Sequence, residues 1–175
     1  MAEASVFRRP DRTEAVEYFF RYIEQVPGDD VRRILEAQTP EGLAQFKQIT
    51  EERSLYRYAP DKWSIRQVLS HVNDTERVFA YRVLWFARGF EGALPGFDQT
   101  VGAAGAEADS RSWDSHVDEF VAVRRATTTL LESLPDAAWD RRGVASGNAA
   151  SVRGFAFVIA GHSAHHLAIL RERYL

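Results

Sequence analysis

"SVRGFAFVIAGHSAHHLAILRERY", residues 151–174, places its apolar side chains at helical spacing and shows no strand-like alternation. Ser151 is a candidate N-cap for the helix that follows. At about 100° per residue, Phe155, Val158, Ile159, Ile169 and Leu170 fall within roughly 80° of His162. His166 lies about 40° from His162, in the middle of the same apolar face. Ala164 and Arg171 occupy the opposite side, and His165 sits about 60° away at the edge. The stretch therefore reads as a buried helix whose core face carries two histidines one turn apart.

The same periodicity extends towards the N-terminus. "SIRQVLSHVNDTERVFAYRVLWFARG" (64–89) is the clearest helix, with Ser64 and Gln67 spaced as a capping box and Gly89 as its stop. Residues 111–134 form another amphipathic helix ended by Pro135. Residues 13–26 read as a short helix ended by Pro27-Gly28. Residues 29–52 read as helical after an Asp29 or Asp30 cap, with a kink or restart at Pro40 because proline lacks the backbone donor. Residues 1–12 are expected to form a loose N-terminal arm, and 13–175 a single domain. The Gly/Ala-rich stretch 90–110 reads as an irregular loop, and a loop of that length is usually functional or mobile. No segment alternates as a strand and no repeat is found. The expected fold is all-α, a four-helix bundle.

The chain of 175 residues is long enough for one core, and its formal charge of −3 gives no basic stretch for nucleic acid. It has no cysteine, which excludes disulfides, zinc ribbons and a cysteine nucleophile. The first twenty residues have no apolar h-region, and no apolar run approaches a membrane span. A cytoplasmic protein that engages neither nucleic acid nor membrane is expected.

Two imidazoles at i,i+4 suit one metal ion, although the glutamate of the metalloprotease helix is missing between them. Two core histidines without metal would each need partners for their ring nitrogens. His71, on the flank of the 64–89 stripe about 60° from Val68, is the candidate third ligand. Glu76 falls inside that stripe, between Leu69 and Val72 in angle. It could orient a ligand histidine, act as the catalytic proton carrier, or pair with an arginine, and buried charges are usually paired. His116, near the start of its helix, is expected at the surface.

"KWSIRQVLSHVNDTERVFAYRVLWFARG", "LPGFDQ" and "VRGFAFVIAGHSAHHLAILRERY" together resemble the DinB-like (YfiT-like) superfamily in its DinB_2 branch, over residues 15–175. The resemblance implies an up-down-down-up bundle with one long crossover. It implies a divalent metal, Zn²⁺ or Ni²⁺, held by His71, His162 and His166, with His165 a neighbour and not a ligand. It also implies a homodimer. Three neutral imidazoles leave open positions for water or substrate. A bound water would have its pKa lowered to about 7, and a bound thiol would be deprotonated. The family includes metal-dependent hydrolases and enzymes that use low-molecular-weight thiols such as bacillithiol.

Three functions compete on this basis. One is a metal-dependent enzyme acting on a small molecule by hydrolysis or thiol S-transfer. The second is a non-catalytic metal-binding stress or interaction protein, with Asp98 and Gln99 of the long loop as plugs or substrate contacts. The third is a structural bundle with core histidines. Arg124-Arg125 and Arg141-Arg142 are expected to be solvated surface charge, and Tyr81 and Trp85 to serve packing or a dimer face.

Overall fold

The computed structural model describes residues 5–175, so the first four residues of the expected arm lie outside the described residues. Six helices and one hairpin follow in the order α1 (Glu17–Ile23), α2 (Val31–Phe46), α3 (Ile65–Ala87), α4 (Gln99–Gly105), α5 (Trp113–Glu132), β1 (Arg142–Ala145), β2 (Asn148–Ser151) and α6 (Val152–Arg173). Among the described residues, no helix is long and apolar enough to cross a membrane.

The long helices α2, α3, α5 and α6 form the bundle, and specific contacts fix their directions. Phe86 near the end of α3 stacks on Phe155 near the start of α6, so these two are antiparallel. Asn73 reaches the His116 carbonyl and Glu76 pairs with Arg124, so α3 and α5 run parallel. Gln38 and Gln45 donate to the carbonyls of Ala160 and Leu167, which makes α2 parallel to α6. The result is the up-down-down-up order, with residues 88–112 as the crossover between the parallel α3 and α5.

The caps read from sequence are present. Asp30 accepts from the Arg32 and Arg33 amides, Ser64 forms a capping box with Gln67, and Ser151 accepts from the Gly154 amide. Gly89 follows the end of α3 with φ 87°. Pro40, by contrast, does not break α2. Pro40 and Glu36, whose carbonyl loses its donor, are both exposed, so water can replace the missing bond. The buried positions Leu35, Gln38, Gly42 and Phe46 hold the other face of the helix in register.

Three further expectations are corrected. The expected loose arm is strapped down from Val6 onward. Arg9 donates to the carbonyls of Ile23, Val26 and Gly28, and Phe7 packs edge-on against Trp139 at 5.0 Å. The 90–110 segment is not irregular throughout, since it contains α4, capped by Asp98, and a 3-10 turn at Ala108–Ser110. Residues 142–151 form an antiparallel hairpin where no strand was expected. Its turn, Ser146-Gly147, has φ of 53° and 73°, as a two-residue primed turn requires. Its strands are four residues each, too short for alternation to register.

The core divides into two apolar clusters along the bundle axis. One gathers Phe19, Leu35, Val83, Phe86, Trp139 and Phe155, and the other Phe46, Leu69, Trp113, Phe120, Leu167 and Leu170. Between them runs a buried polar belt to which each long helix contributes: Gln38, Glu76, Arg124 and His162. The candidate site opens from this belt.

Candidate metal centre

His71 lies two turns into α3 and His162 and His166 lie in the middle of α6. The antiparallel α3–α6 contact brings them together. Each offers a ring nitrogen, and the three nitrogens lie within 4.8 Å of one another. His71 Nε2 and His162 Nε2 are 3.1 Å apart, and the His71 and His166 rings are 4.8 Å apart between centroids. His71 and His162 are buried, while His166 is partly exposed.

The surroundings orient these rings. His71 Nδ1 lies 3.4 Å from Thr75 Oγ1, one turn further along α3, which leaves Nε2 facing the other histidines. Trp63 packs 4.9 Å from the His71 ring, and Tyr22 of α1 packs 5.5 Å from His162. Gly161 makes the second contact attainable. A Cβ there would stand 2.2 Å from the Tyr22 carbonyl oxygen, so only glycine lets α1 cross α6 this closely.

Burial disfavours the charged form of all three imidazoles. The pKa of His71 falls to about 4 and that of His166 to about 3, the latter lowered further by the neighbouring His71 and His165. His162 is lowered well below its ordinary value, by burial first and by the adjoining histidines second. The rings are therefore neutral at physiological pH and present free lone pairs. An ion about 2.1 Å from each nitrogen holds its ligand atoms within about 4.2 Å of one another. The triad is close to that span, and its donor chemistry suits a divalent transition ion.

A cleft of about 330 Å³ leads to His71 and His162. Its walls come from Tyr22, Thr75, Phe79 and Arg82, and its rim from Gln99 of α4 and Ser146 and Asn148 of the hairpin. The crossover and hairpin are joined there, since Leu94 donates to the Val144 carbonyl and Ser146 donates back to Leu94. Burial pushes the Tyr22 phenol up to about 12, so its hydroxyl stays protonated. A larger groove of about 960 Å³ runs between α2 and α6 but does not include the triad.

The other candidates fall elsewhere. His165 is partly exposed, with Nδ1 3.2 Å from Gln25 Oε1, and does not join the cluster. His116 is fully buried, not superficial. The crossover folds back so that the Ala108 carbonyl meets His116 Nε2 at 2.9 Å. Of the roles open to Glu76, the structure displays the ion pair. Arg124 donates from Nε and Nη2 to the two carboxylate oxygens, both at 2.9 Å, and no histidine is among Glu76's hydrogen-bond partners. Arg124 is consequently buried at 2% exposure, contrary to the surface expected for it, whereas Arg125, Arg141 and Arg142 are exposed. Asp98 caps α4, and Gln99 lines the cleft. Sequence reasoning passed over Tyr22, Thr75 and Arg82. Thr75 and Arg82 were within its reach, because both lie within about 40° of His71 on the α3 wheel.

Fold and site together define a mainly helical bundle protein with a three-histidine pocket on its antiparallel α3–α6 seam. The family model described as the DinB superfamily (DinB_2) matches residues 34–170, and the chain belongs to that family. Among solved structures, the chain is similar to YfiT from Bacillus subtilis, described as "a probable metal-dependent hydrolase with an unusual four-helix bundle topology". That match has a TM-score of 0.70 and 18% identity, and covers 95% of this chain and 94% of the other. No curated protein matches the chain.

Proposed function

We propose that this protein is a divalent-metal-dependent hydrolase of a small molecule, with His71, His162 and His166 holding Zn²⁺ or Ni²⁺. The observation that carries this reading is the convergence of three neutral ring nitrogens within 4.8 Å, two of their rings lining an open cleft. The description of YfiT as a hydrolase supports the choice of reaction. When bound, such an ion supplies Lewis acidity and lowers the pKa of a water towards about 7. The chain's own groups do the rest. Thr75 fixes the His71 ring, burial keeps the imidazoles unprotonated, and Trp63 and Tyr22 close off the flanks of the site. The protonated Tyr22 hydroxyl is a hydrogen-bond donor beside the cleft.

One observation favours S-transfer from a low-molecular-weight thiol, such as bacillithiol, as a second reading. No carboxylate lines the cleft among the described residues, and Glu76 is occupied by Arg124. A thiol, more acidic than water, has less need of a protein base. We propose in addition that the protein forms a homodimer, for which the exposed Tyr81 and Leu84 of α3 are candidate contacts.

The test is elemental analysis of protein purified without chelators, followed by assays with esters, amides and thiol–electrophile pairs. Stoichiometric zinc or nickel, lost in His71→Ala, together with metal-dependent hydrolysis supports the main reading. Joint consumption of thiol and electrophile moves the assignment to S-transfer. Metal binding with neither activity leaves a non-catalytic metal-binding protein, and absence of metal overturns all three. Sedimentation analysis reads the oligomeric state.

A further inference from the structure

Arg82 is an anomaly in the cleft wall. It is 5% exposed, yet among the described residues no carboxylate lies within salt-bridge distance of it. The other deeply buried arginines are all paired: Arg66 with Glu51, Arg124 with Glu76, and Arg153 with Glu14 and Asp140. A buried charge without a counter-charge is costly, and burial lowers the Arg82 pKa accordingly.

Among the described residues only one of its five N–H donors has a protein acceptor, through Nη2 to Ser146 Oγ at 2.7 Å. Nε and Nη1 make no hydrogen bond to the described residues, and neither is among the buried atoms sealed off without a partner. They therefore meet open space, and the cleft that holds His71 and His162 is lined by Arg82. No Asp or Glu lines that cleft among the described residues, so Arg82 is its one formal charge.

Position reinforces the point. Arg82 follows His71 by eleven residues on α3, about 20° away around the helix and about 16 Å along it. Side chains on a helix lean towards its N-terminus, and the Arg82 guanidinium indeed lies 4.5 Å over the Phe79 ring, on the His71 side.

We infer that Arg82 is the anion anchor of this cleft, and that the substrate is an elongated small molecule with a carboxylate or phosphate at the end remote from the histidines. The word substrate rests on the enzymatic reading above, while the anion site itself does not. The guanidinium fork matches either oxyanion, and Ser146 holds it in place from the hairpin turn. Phe79 supplies an aromatic surface beneath it.

Calorimetric titration of the full chain with benzoate and with inorganic phosphate tests this. It is run on chelator-treated and zinc-loaded protein. Saturable binding of at least one probe to chelator-treated wild type is expected, weakened roughly tenfold or more in Arg82→Gln and less in Arg82→Lys. The probe that binds more tightly identifies the anion. A wild-type measurement covers the case in which Arg82→Gln does not fold: the Arg82 Nε–H resonance should shift on titration while those of the exposed Arg77 and Arg88 stay put. No binding of either probe, unchanged affinity in a folded Arg82→Gln, or a static Arg82 resonance overturns the anchor. Loss of zinc binding with anion binding intact would instead overturn the metal reading alone.

Discussion

The guanidinium of Arg124 meets the carboxylate of Glu76 along two parallel hydrogen bonds, each 2.9 Å, at the centre of the bundle. Its remaining nitrogen reaches the Leu35 carbonyl and Gln38 Oε1, and Gln38 passes the chain on to the Ala160 carbonyl. All four long helices are thereby tied at one level. Removing one partner leaves the other buried and uncompensated. Glu76→Ala is expected to cost about 3–5 kcal/mol in urea unfolding. Glu76→Gln should also destabilise. Zinc stoichiometry at 10 °C should be unchanged in whatever fraction stays folded. Loss of metal from folded Glu76→Gln would show that the carboxylate serves the histidines after all.

Metal binding should appear as thermal stability. A ligand that binds only the folded state at about a hundred times its Kd adds about 2.7 kcal/mol. For a chain of this size that corresponds to a Tm rise of about 5–10 °C. Calorimetric scans with and without zinc should show it in the wild type and in His165→Ala. The rise should be absent in His71→Ala, His162→Ala and His166→Ala. An undiminished rise in any of those three would remove that residue from the ligand set.

The buried imidazoles also set a pH dependence for the metal-free protein. His71 and His166 are neutral in the folded state down to about 4 and about 3, but in the unfolded chain they bind protons below about 6.5. Between those limits the unfolded state holds more protons, so stability is full above about 6.5 and falls as pH drops. The slope approaches about 1.4 kcal/mol per pH unit for each histidine. Urea midpoints of chelator-treated protein at pH 7.5, 6 and 5 should decline in that order, and less steeply in His166→Leu.

Gly161→Ala should act on site and fold together. Its methyl would collide with the Tyr22 carbonyl, which is backbone and cannot swing away. Overpacking of this kind costs about 1–3 kcal/mol. Because Tyr22 flanks His162, zinc affinity should weaken as well. Wild-type zinc affinity in folded Gly161→Ala would show that α1 plays no part in shaping the site.

The bundle was legible because its four long helices carry caps and an apolar stripe, signals that are local in sequence. The two-histidine face of α6 was legible for the same reason, through the spacing of His162 and His166. What escaped depends on contacts between distant segments. His116 looks superficial until the crossover lays Ala108 over it. Arg124 looks like surface charge until Glu76 is found opposite. Arg82 looks unremarkable until the lack of a paired carboxylate among the described residues is visible. The hairpin escaped because its four-residue strands, Arg-Gly-Val-Ala and Asn-Ala-Ala-Ser, are too short to show alternation, leaving Ser146-Gly147 as its sole punctuation.

That hairpin joins more than its own two strands. Ala150 bridges to Ala15 before α1, and Ala145 bridges to Leu94 in the crossover, so three separate connectors share one hydrogen-bonded ribbon at the mouth of the cleft. The ribbon is small, with strands of four residues each, whereas the histidines stand on long, deeply packed helices. Amide hydrogen exchange is expected to be faster in the ribbon than in the centres of α3 and α6. Through Ser146, which lines the cleft and accepts from Arg82, the ribbon ties one side of the cleft's rim to all three connectors at once.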